Sequence, residues 1–158
     1  MKKLWLVGLV AVILCNCSKE NDGNSGSLPP LPDPDDVCSA MDNINFMTFC
    51  YEKFDANKDG KVSVREAEAV REIDFDKGLS GSLKGIERFP NLEILDCYSY
   101  HFGSGGYYSF SFAELDLRYN RMLKILRLYN CTNLVTLDLS RNTTVSYTHL
   151  TLPTNSLV

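Results

Sequence analysis

A short apolar pattern that recurs through the second half of the chain constrains its fold more than any other feature. The unit is L-x-x-L-x-L, with apolar residues at the three L positions, and successive units start at residues 70, 92, 112, 123 and 134. The intervals of 22, 20, 11 and 11 residues indicate a half-repeat near eleven residues and a full coil near twenty-two. The apolar triplets are Val70, Ile73 and Phe75; Leu92, Leu95 and Cys97; Phe112, Leu115 and Leu117; Leu123, Leu126 and Leu128; and Leu134, Leu137 and Leu139.

This spacing is typical of leucine-rich repeats, in which each unit contributes one short strand and stacked units bury a continuous core. Three positions beyond the last apolar residue of a unit stand Asn120, Cys131 or Asn142, whose side chains can bond a turning backbone. We therefore expect an α/β fold in which residues 70–144 form a solenoid with short parallel strands.

A second feature is the segment 55–66, whose oxygen-bearing residues have the spacing of an EF-hand calcium loop. Calcium prefers six to eight oxygen ligands. Gly60 permits the sharp turn, and Lys61 would contribute its backbone carbonyl while its charged side chain leaves toward solvent. Ser63 would act through water, and Glu66 through both carboxylate oxygens. The predicted calcium ligands are Asp55, Asn57, Asp59, Lys61, Ser63 and Glu66.

The simplest alternative for this loop is a polar turn of Asx residues and glycine that binds nothing. A chance match would rarely place both the glycine and the terminal glutamate, so we favour calcium. Three ligands are anionic and repel one another without metal, so calcium should also order the segment. A single loop lacks the second hand that usually pairs beside its eighth position, and we expect Val62 to pack on the first repeat coil instead.

The helical spacing of Phe46, Phe49 and Phe54 predicts a helix that enters the loop, with Asp42 or Asn43 as its N-cap. After the loop the helical pattern ends at residue 69, because the first apolar unit of the repeats begins at Val70. We therefore assign residues 38–69 to a short helix–calcium loop–helix module that leads into the repeats.

The cysteines allow two interpretations. Cys38 and Cys50 could form a disulfide in an exported chain, which meets oxidising conditions. Cys50 lies on the apolar face of the predicted helix and could equally be a plain core thiol, which its position slightly favours. The isolated Cys97 and Cys131, with two histidines in the whole chain, form no zinc set and no Cys/His catalytic pair.

An insertion interrupts the repeats. Leu92 and Leu123 start the same kind of half-unit by the alternation of the pattern, yet they are 31 residues apart, one coil plus about ten. The excess lies around residues 100–110, a glycine-rich, aromatic stretch that we expect to loop out and offer rings for ligand or glycan stacking. The alternative is that Phe102, Tyr107 and Phe110 fold back into a degenerate half-repeat. The residues of the possible ligand face are Tyr98, Tyr107, Tyr108 and Tyr129.

Between the buried positions, strand residues alternate outward. One face should carry Asp74, Asp96 and Arg127 in a column, and the other face Asp116 and Asp138. Neighbouring carboxylates attract cations or basic partner groups. A solvated ladder that keeps the surface soluble is the simpler interpretation, and we favour it.

The chain begins like an exported protein. Residues 1–16 combine a basic start with an apolar run that is too short to span a bilayer. The segment ends in a Cys-Asn-Cys sequence that resembles a bacterial lipoprotein signal, with Cys17 as the lipid acceptor. An ordinary signal peptide cleaved nearby is the alternative. Residues 17–37, rich first in Gly and Ser and then in Pro, are predicted to be a flexible tether.

The repeats resemble those of Bacteroidetes surface proteins. L-D-C at residues 95–97 and L-D-L-S-R-N-T at residues 137–143 are two kinds of half-unit that alternate in that family. Its members often carry one EF-hand-like segment directly before the repeats, which is the order seen over residues 46–144. The acidic residues after Cys17 are similar to the signal that sends such lipoproteins to the outer cell surface. The resemblance implies an exported protein, lipid-anchored at the outer membrane and exposed on the cell.

The end of the chain has a different character. Residues 145–158 resemble the translation of a transposase-type sequencing-library adapter, and neither the repeat pattern nor a capping helix continues there. We interpret these residues as a non-native, adapter-derived tail, which makes the repeats truncated.

Composition and motifs favour recognition over catalysis. The formal net charge of −4 becomes about −6 without Lys2 and Lys3, which argues against a nucleic-acid partner. We expect a cell-surface calcium-binding recognition or adhesion protein with a protein or glycan partner, and not an enzyme, since no nucleophile with a positioned base is visible. One alternative is the targeting arm of a larger surface hydrolase. A dockerin is another, but residues 74–78 are too incomplete for the second loop it requires.

Overall fold

The computed structural model of the chain describes residues 11–13, 28–98, 100–101, 106–107, 109–143 and 145–150, with side chains described for 28–98, 109–143 and 145. The fold is mixed α/β, with few helices and small parallel sheets. The predicted α/β class with short parallel strands is therefore confirmed. In the described ranges no helix is both long and apolar enough to cross a membrane.

Two α-helices flank the predicted calcium loop. The first, α1, covers Ile44–Phe54, and the second, α2, covers Val64–Ala69. Of the two predicted candidates, Asn43 is the N-cap of α1, because its side chain accepts a hydrogen bond from the Asn45 N–H. Short 3-10 turns lie at Val37–Ala40 and Ile86–Arg88.

Most of the strands are three to five residues long, and they follow the apolar units. The middle apolar residue of each unit lies within a strand. The strands are β1 (Ala11–Ile13), β2 (Glu72–Asp74), β3 (Ile94–Cys97), β4 (Tyr100–His101), β5 (Gly106–Tyr107), β6 (Glu114–Asp116), β7 (Ile125–Leu128), β8 (Thr136–Asp138) and β9 (Ser146–Leu150).

The strands assemble into two parallel sheets and one antiparallel pair. One parallel sheet has the order β2-β3-β7-β9 and the other β1-β8-β6, while β4 pairs antiparallel with β5. Leu95 lies in register between Ile73 and Leu126 in the first sheet, and Leu115 lies beside Leu137 in the second. Leu92 and Leu123 therefore belong to the same kind of half-unit, as predicted. The chain passes to the other sheet after each eleven-residue unit.

The helical module and the strands share one core. The ring of Phe75, in the first apolar unit, lies 4.8 Å from the Phe49 ring and 6.1 Å from the Phe46 ring of α1. Phe54 at the end of α1 meets Phe89, with 5.5 Å between ring centroids. All apolar triplets are buried in the same cluster as these phenylalanines. The helices are therefore packed on the strands and do not form a separate unit.

Polar and backbone contacts join the start of α1 to the loop before β3. The Asn43 side chain donates to the carbonyl oxygens of Ser80 and Ser82, at 2.9 and 2.7 Å. Gly85 has a φ of +103°, and a Cβ at that position would come within 2.4 Å of the Met41 Cγ. Residue 85 therefore needs glycine for both its backbone conformation and its close approach.

The insertion is partly folded back. Phe110 is completely buried and forms an isolated parallel bridge with Cys131, so the alternative in which this residue fills the core is correct for Phe110. The side chains of Phe102, Tyr107 and Tyr108 lie outside the described residues. The backbone of Tyr107 is part of β5.

Two strands lie in segments that we assigned to the termini. Ala11–Ile13, within the predicted signal segment, pair parallel with β8, and Ser146–Leu150, within the predicted tail, pair parallel with β7. The lipid acceptor Cys17 lies outside the described residues.

Candidate calcium site

The loop between α1 and α2 contains two residues in the left-handed backbone region. Lys58 has a φ of +60° and Gly60 a φ of +85°. Nothing lies within 4 Å of the place where a Cβ of residue 60 would stand. Glycine is therefore favoured there by its backbone conformation, because a positive φ is costly for residues with a Cβ.

The oxygens at the start of the loop converge on its middle. Asp55 Oδ1 and Asn57 Oδ1 both accept from the Asp59 N–H, at 3.2 and 3.0 Å. Asp55 Oδ2 accepts from the Gly60 N–H at 2.9 Å, and Asp59 Oδ1 from the Lys61 N–H at 2.9 Å. Three of the predicted ligands are thus held by backbone donors of the same turn.

Glu66 connects the two ends of the loop. Its Oε1 accepts from the Ala56 N–H at 2.9 Å, and its Oε2 accepts from the Ser63 N–H at 2.9 Å and the Ser63 hydroxyl at 2.8 Å. The Ser63 hydroxyl oxygen in turn accepts from the Glu66 N–H, which completes a capping box at the start of α2. Hydrogen bonds from Ser63, and then those from Ala56 and Asn57, hold the pKa of Glu66 below its usual value, which favours the carboxylate.

The donor chemistry of the loop fits a hard cation. The side chains of Asp55, Asn57, Asp59, Ser63 and Glu66 are linked through one network and offer only oxygen ligands apart from the Asn57 amide nitrogen. The described residues contain no cluster of three or more His, Cys, Asp or Glu side chains arranged to hold a metal ion. The carboxylates accept hydrogen bonds from loop N–H groups, and each keeps further lone pairs that could bind a cation.

Lys61 departs from the expectation for its side chain. Its ammonium group does not simply point to solvent but pairs with the Asp33 carboxylate, at 3.0 Å between Nζ and Oδ2, and remains about half exposed. Its carbonyl oxygen is the atom that the ligand spacing assigns to calcium.

A buried carboxylate beside the loop was missed by the sequence analysis. Asp36 is only 6% exposed, and its Oδ1 accepts from the Cys38 N–H at 3.0 Å and the Val62 N–H at 3.1 Å. Its Oδ2 accepts from the Tyr51 hydroxyl at 2.7 Å. Burial, followed by the Asp36 carboxylate, raises the pKa of Tyr51, so this hydroxyl stays a donor. The signal that could have revealed Asp36 is its position two residues before Cys38, as an N-cap of the turn that follows.

The backbone beside Val62 corrects a further expectation. The Val37 N–H donates to the Val62 carbonyl oxygen at 2.9 Å, next to the bond from the Val62 N–H to Asp36. The eighth loop position is therefore paired by the segment before α1, and not by the first repeat coil that we expected. The Val62 side chain is completely buried in the common core. Residues 33–37 belong to the segment that we assigned to the tether, but they fold back across the loop and contact Lys61 and Val62. We call residues 33–37 the strap.

The predicted columns of outward residues are present on the first sheet. Asp74, Asp96 and Arg127 lie in register, and Arg127 Nη1 is 2.6 Å from Asp96 Oδ2. Partial burial and then the Asp96 charge raise the pKa of Asp74. The rings of Tyr98 and Tyr129 meet edge to face, with 5.1 Å between centroids. Of the four tyrosines predicted for the ligand face, these two are brought together.

The carboxylates of the second sheet are neutralised locally. Asp116 and Asp138 lie in register, and Arg118 contacts both, at 2.8 Å to Asp116 Oδ2 and 3.0 Å to Asp138 Oδ2. This arrangement fits the simpler interpretation of a solvated ladder better than a second cation site.

Comparison of the chain with protein-family models, with curated proteins and with solved structures found no match.

Proposed function

We propose that this chain is an exported recognition protein that binds calcium through residues 55–66 and presents a leucine-rich-repeat face to a protein or glycan. The observation that carries the proposal is the oxygen-rich loop between α1 and α2, whose helices pack on the first strands of the repeats. Calcium bound there would stiffen the junction at which the repeats begin, because it would draw the ends of the loop together.

The solenoid interpretation is supported by two asparagines that lie 22 residues apart, the length of one coil, and that each bond to an earlier segment of the chain. The buried Asn120 side chain donates to the carbonyl oxygens of Ile86 and Phe89, at 2.8 and 3.0 Å. The Asn142 side chain, 22 residues later, donates to the Asn120 carbonyl oxygen at 2.7 Å. Each asparagine thus ties its own turn to the preceding coil, as expected for stacked repeats that contact only their neighbours.

A face for ligands is available on the first sheet. Tyr98 is 41% exposed, and its ring contact with Tyr129 places two aromatic surfaces at the ends of adjacent strands. Asp96 and Arg127 supply a charged pair directly beside them. Aromatic rings next to hydrogen-bonding groups suit both glycan stacking and protein contacts. Tyr107 and Tyr108 remain part of this proposal on their sequence positions alone.

The location of the protein is also a proposal. The lipoprotein-like segment ending at Cys17 would give an acylated N-terminus that anchors the chain at the outer membrane, with the recognition face on the cell surface. Palmitate labelling of the expressed full chain tests this anchor. Labelling that is lost in Cys17→Ala and kept in Cys15→Ala would support it, and labelling unaffected by Cys17→Ala would refute it.

The calcium proposal is tested by titrating the purified full-length protein with calcium in a calorimeter and by melting it with and without the ion. Binding together with a higher melting temperature supports the proposal, since a ligand that binds only the folded state stabilises it. Glu66→Ala should abolish the binding. Glu68→Ala, on the same helix but outside the loop, is the matched control and should bind normally. No heat of binding at millimolar calcium in the wild-type protein would refute a calcium site.

A further inference from the structure

Two of the buried cysteines belong to neighbouring elements of the core. Cys38 belongs to the turn Val37–Ala40 and Cys50 to α1, and these two elements pack together. Both side chains are completely buried and both are free thiols. Burial, then the neighbouring Cys38 thiol and the Asp36 charge, raise the pKa of Cys50 far above its ordinary value.

The backbone holds both cysteines in place. The Cys38 N–H donates to Asp36 Oδ1 at 3.0 Å, and the Cys38 carbonyl oxygen accepts from the Met41 N–H at 3.0 Å. Cys50 lies within the second half of α1, whose face toward the core is fixed by Phe46 and Phe49. The turn that carries Cys38 and the helix that carries Cys50 approach within 8 Å between Cα atoms, which is close to the span of about 4–7 Å that a disulfide bridges.

Other roles for this pair fit the structure less well. Neither cysteine belongs to a group of three or more metal-ligating side chains within the described residues. A reactive thiol needs partial exposure and a neighbouring cation, whereas this pair is buried next to the Asp36 carboxylate. Two plain core thiols are the simple alternative, and a cross-link is what an oxidising compartment would add to this neighbouring pair once the chain is exported as proposed.

We propose that Cys38 and Cys50 are oxidised to a disulfide when the chain is exported. The two thiols lose two protons and two electrons as the S–S bond forms. The acceptor is the disulfide of a thiol–disulfide oxidoreductase in the export compartment, which is reduced to two thiols. Exchange requires an accessible thiolate, so the bond forms before α1 packs on the strands, and burial then protects it from reductants.

The disulfide would hold the strap on the calcium loop. Cys38 directly follows Asp36 and Val37, the residues that bond to Val62. Fixing Cys38 to α1 keeps these groups in position before calcium arrives. The existence of the bond rests on the proposed export of the chain, and an effect on calcium affinity rests in addition on the proposed calcium site.

The sequence allows a direct test of the bond. The full-length protein, expressed with its own leader and exported, is denatured without reductant, alkylated and digested with trypsin. Since no Lys or Arg lies between Lys19 and Lys53, both cysteines fall in the peptide 20–53, while Cys97 and Cys131 fall in separate peptides, 89–118 and 128–141. We expect peptide 20–53 to be unlabelled and two hydrogens lighter than its dithiol form, with the other two peptides labelled.

The control is the same chain made without its leader in a reducing cytoplasm, where peptide 20–53 should carry two labels. Two labels on that peptide from the exported protein would overturn the proposal, as would a cross-link between Cys97 and Cys131 in place of Cys38 and Cys50. Both outcomes can be read without calcium, so a failure here is distinguishable from a failure of the calcium site.

A second measurement uses stability. The melting temperature of the exported protein should fall by about 10 °C after reduction under unfolding conditions and refolding as the dithiol, because the unfolded chain regains the entropy that the closed loop removed. Cys38→Ala should abolish this difference between oxidised and reduced protein, whereas Cys97→Ala, equally buried, should keep it. Equal melting of the oxidised and reduced wild-type protein would overturn the stabilising role of the bond.

Discussion

The Val62 N–H donates a buried hydrogen bond of 3.1 Å to the carboxylate of Asp36, across 26 residues of sequence. Val62 is the eighth residue of the calcium-loop pattern, where a second loop of the same kind would ordinarily pair. In this chain the strap takes that position, and the adjacent bond from the Val37 N–H to the Val62 carbonyl oxygen completes the pairing. A single loop is thereby supplied with a partner from its own polypeptide.

We expect Asp36→Asn to destabilise the protein by about 1–3 kcal/mol. An amide whose oxygen takes the place of Asp36 Oδ1 still accepts from the Cys38 and Val62 N–H groups, but without the charge that strengthens these bonds, and its NH2 group then faces the Tyr51 hydroxyl. Urea unfolding of the full-length protein measures this. Asp35→Asn, at the exposed neighbouring position, is the control and should change stability by less than about 0.5 kcal/mol. Equal effects of the two substitutions would show that the Asp36 network contributes nothing.

We expect Glu66→Ala to lower the melting temperature of the whole domain as well as its calcium affinity. The substitution removes the capping box of α2 and the bridge to Ala56, and α2 leads into strands that share the core with α1. Differential scanning calorimetry without calcium isolates the structural part of the effect. Unchanged melting together with lost calcium binding would contradict the coupling between loop and repeats.

Lowering the pH should weaken the contribution of Glu66 to the stability of the folded protein. Because its pKa is lower in the folded state than in the unfolded chain, its stabilising effect is fully present above the unfolded value, near pH 4.3, and is lost as pH falls through the folded value. The stability difference between wild type and Glu66→Gln should therefore shrink below about pH 4. A difference that stays constant from pH 7 to pH 3 would contradict this.

The charge of Asp74 should affect folding stability in the opposite sense to that of Glu66. Partial burial and the Asp96 charge raise its folded-state pKa, so its charged form opposes folding at neutral pH, and the penalty disappears below its unfolded pKa. Asp74→Asn should therefore stabilise the protein at pH 7, by less than about 1 kcal/mol because solvent screens the site, and have little effect at pH 3. Urea unfolding at both pH values checks this, and destabilisation at pH 7 would show that Asp74 has a partner that the charge pattern hides.

Gly85→Ala should lower the free energy of unfolding by about 2–4 kcal/mol. The new Cβ would stand 2.4 Å from the Met41 Cγ, and the backbone has a φ of +103°, so a clash adds to conformational strain. Gly60→Ala separates the two effects, since its φ is +85° but its surroundings are open, and it should cost about 1 kcal/mol in calcium-free buffer. If both substitutions cost the same, the contact with Met41 is not a constraint.

Features that depend on neighbours in sequence were predictable. The N-cap of α1, the end of α2 at Ala69 and the positions of the strands in the five apolar units follow from capping chemistry and apolar spacing within about ten residues. The in-register neighbours of Leu95 also followed, because identical units can only stack in equivalent positions.

Features that depend on distant segments meeting were not predictable. Asp36 lies in a proline-rich, polar stretch whose composition is typical of a tether. It becomes a buried acceptor because the Val62 N–H and the Tyr51 hydroxyl lie beside it in the folded chain. Phe110 was equally plausible in solvent or in the core until Phe75 and Phe112 were placed beside it.

The sequence by itself determined the local elements, the spacing of the loop oxygens and the alternation of the repeat units, since periodic burial and capping act over short stretches of chain. Only the tertiary structure decided which segment pairs with Val62, which cysteines become neighbours and which tyrosines share a face. Those relationships arise from packing between residues far apart in sequence, and their geometry exists only once the common core has formed.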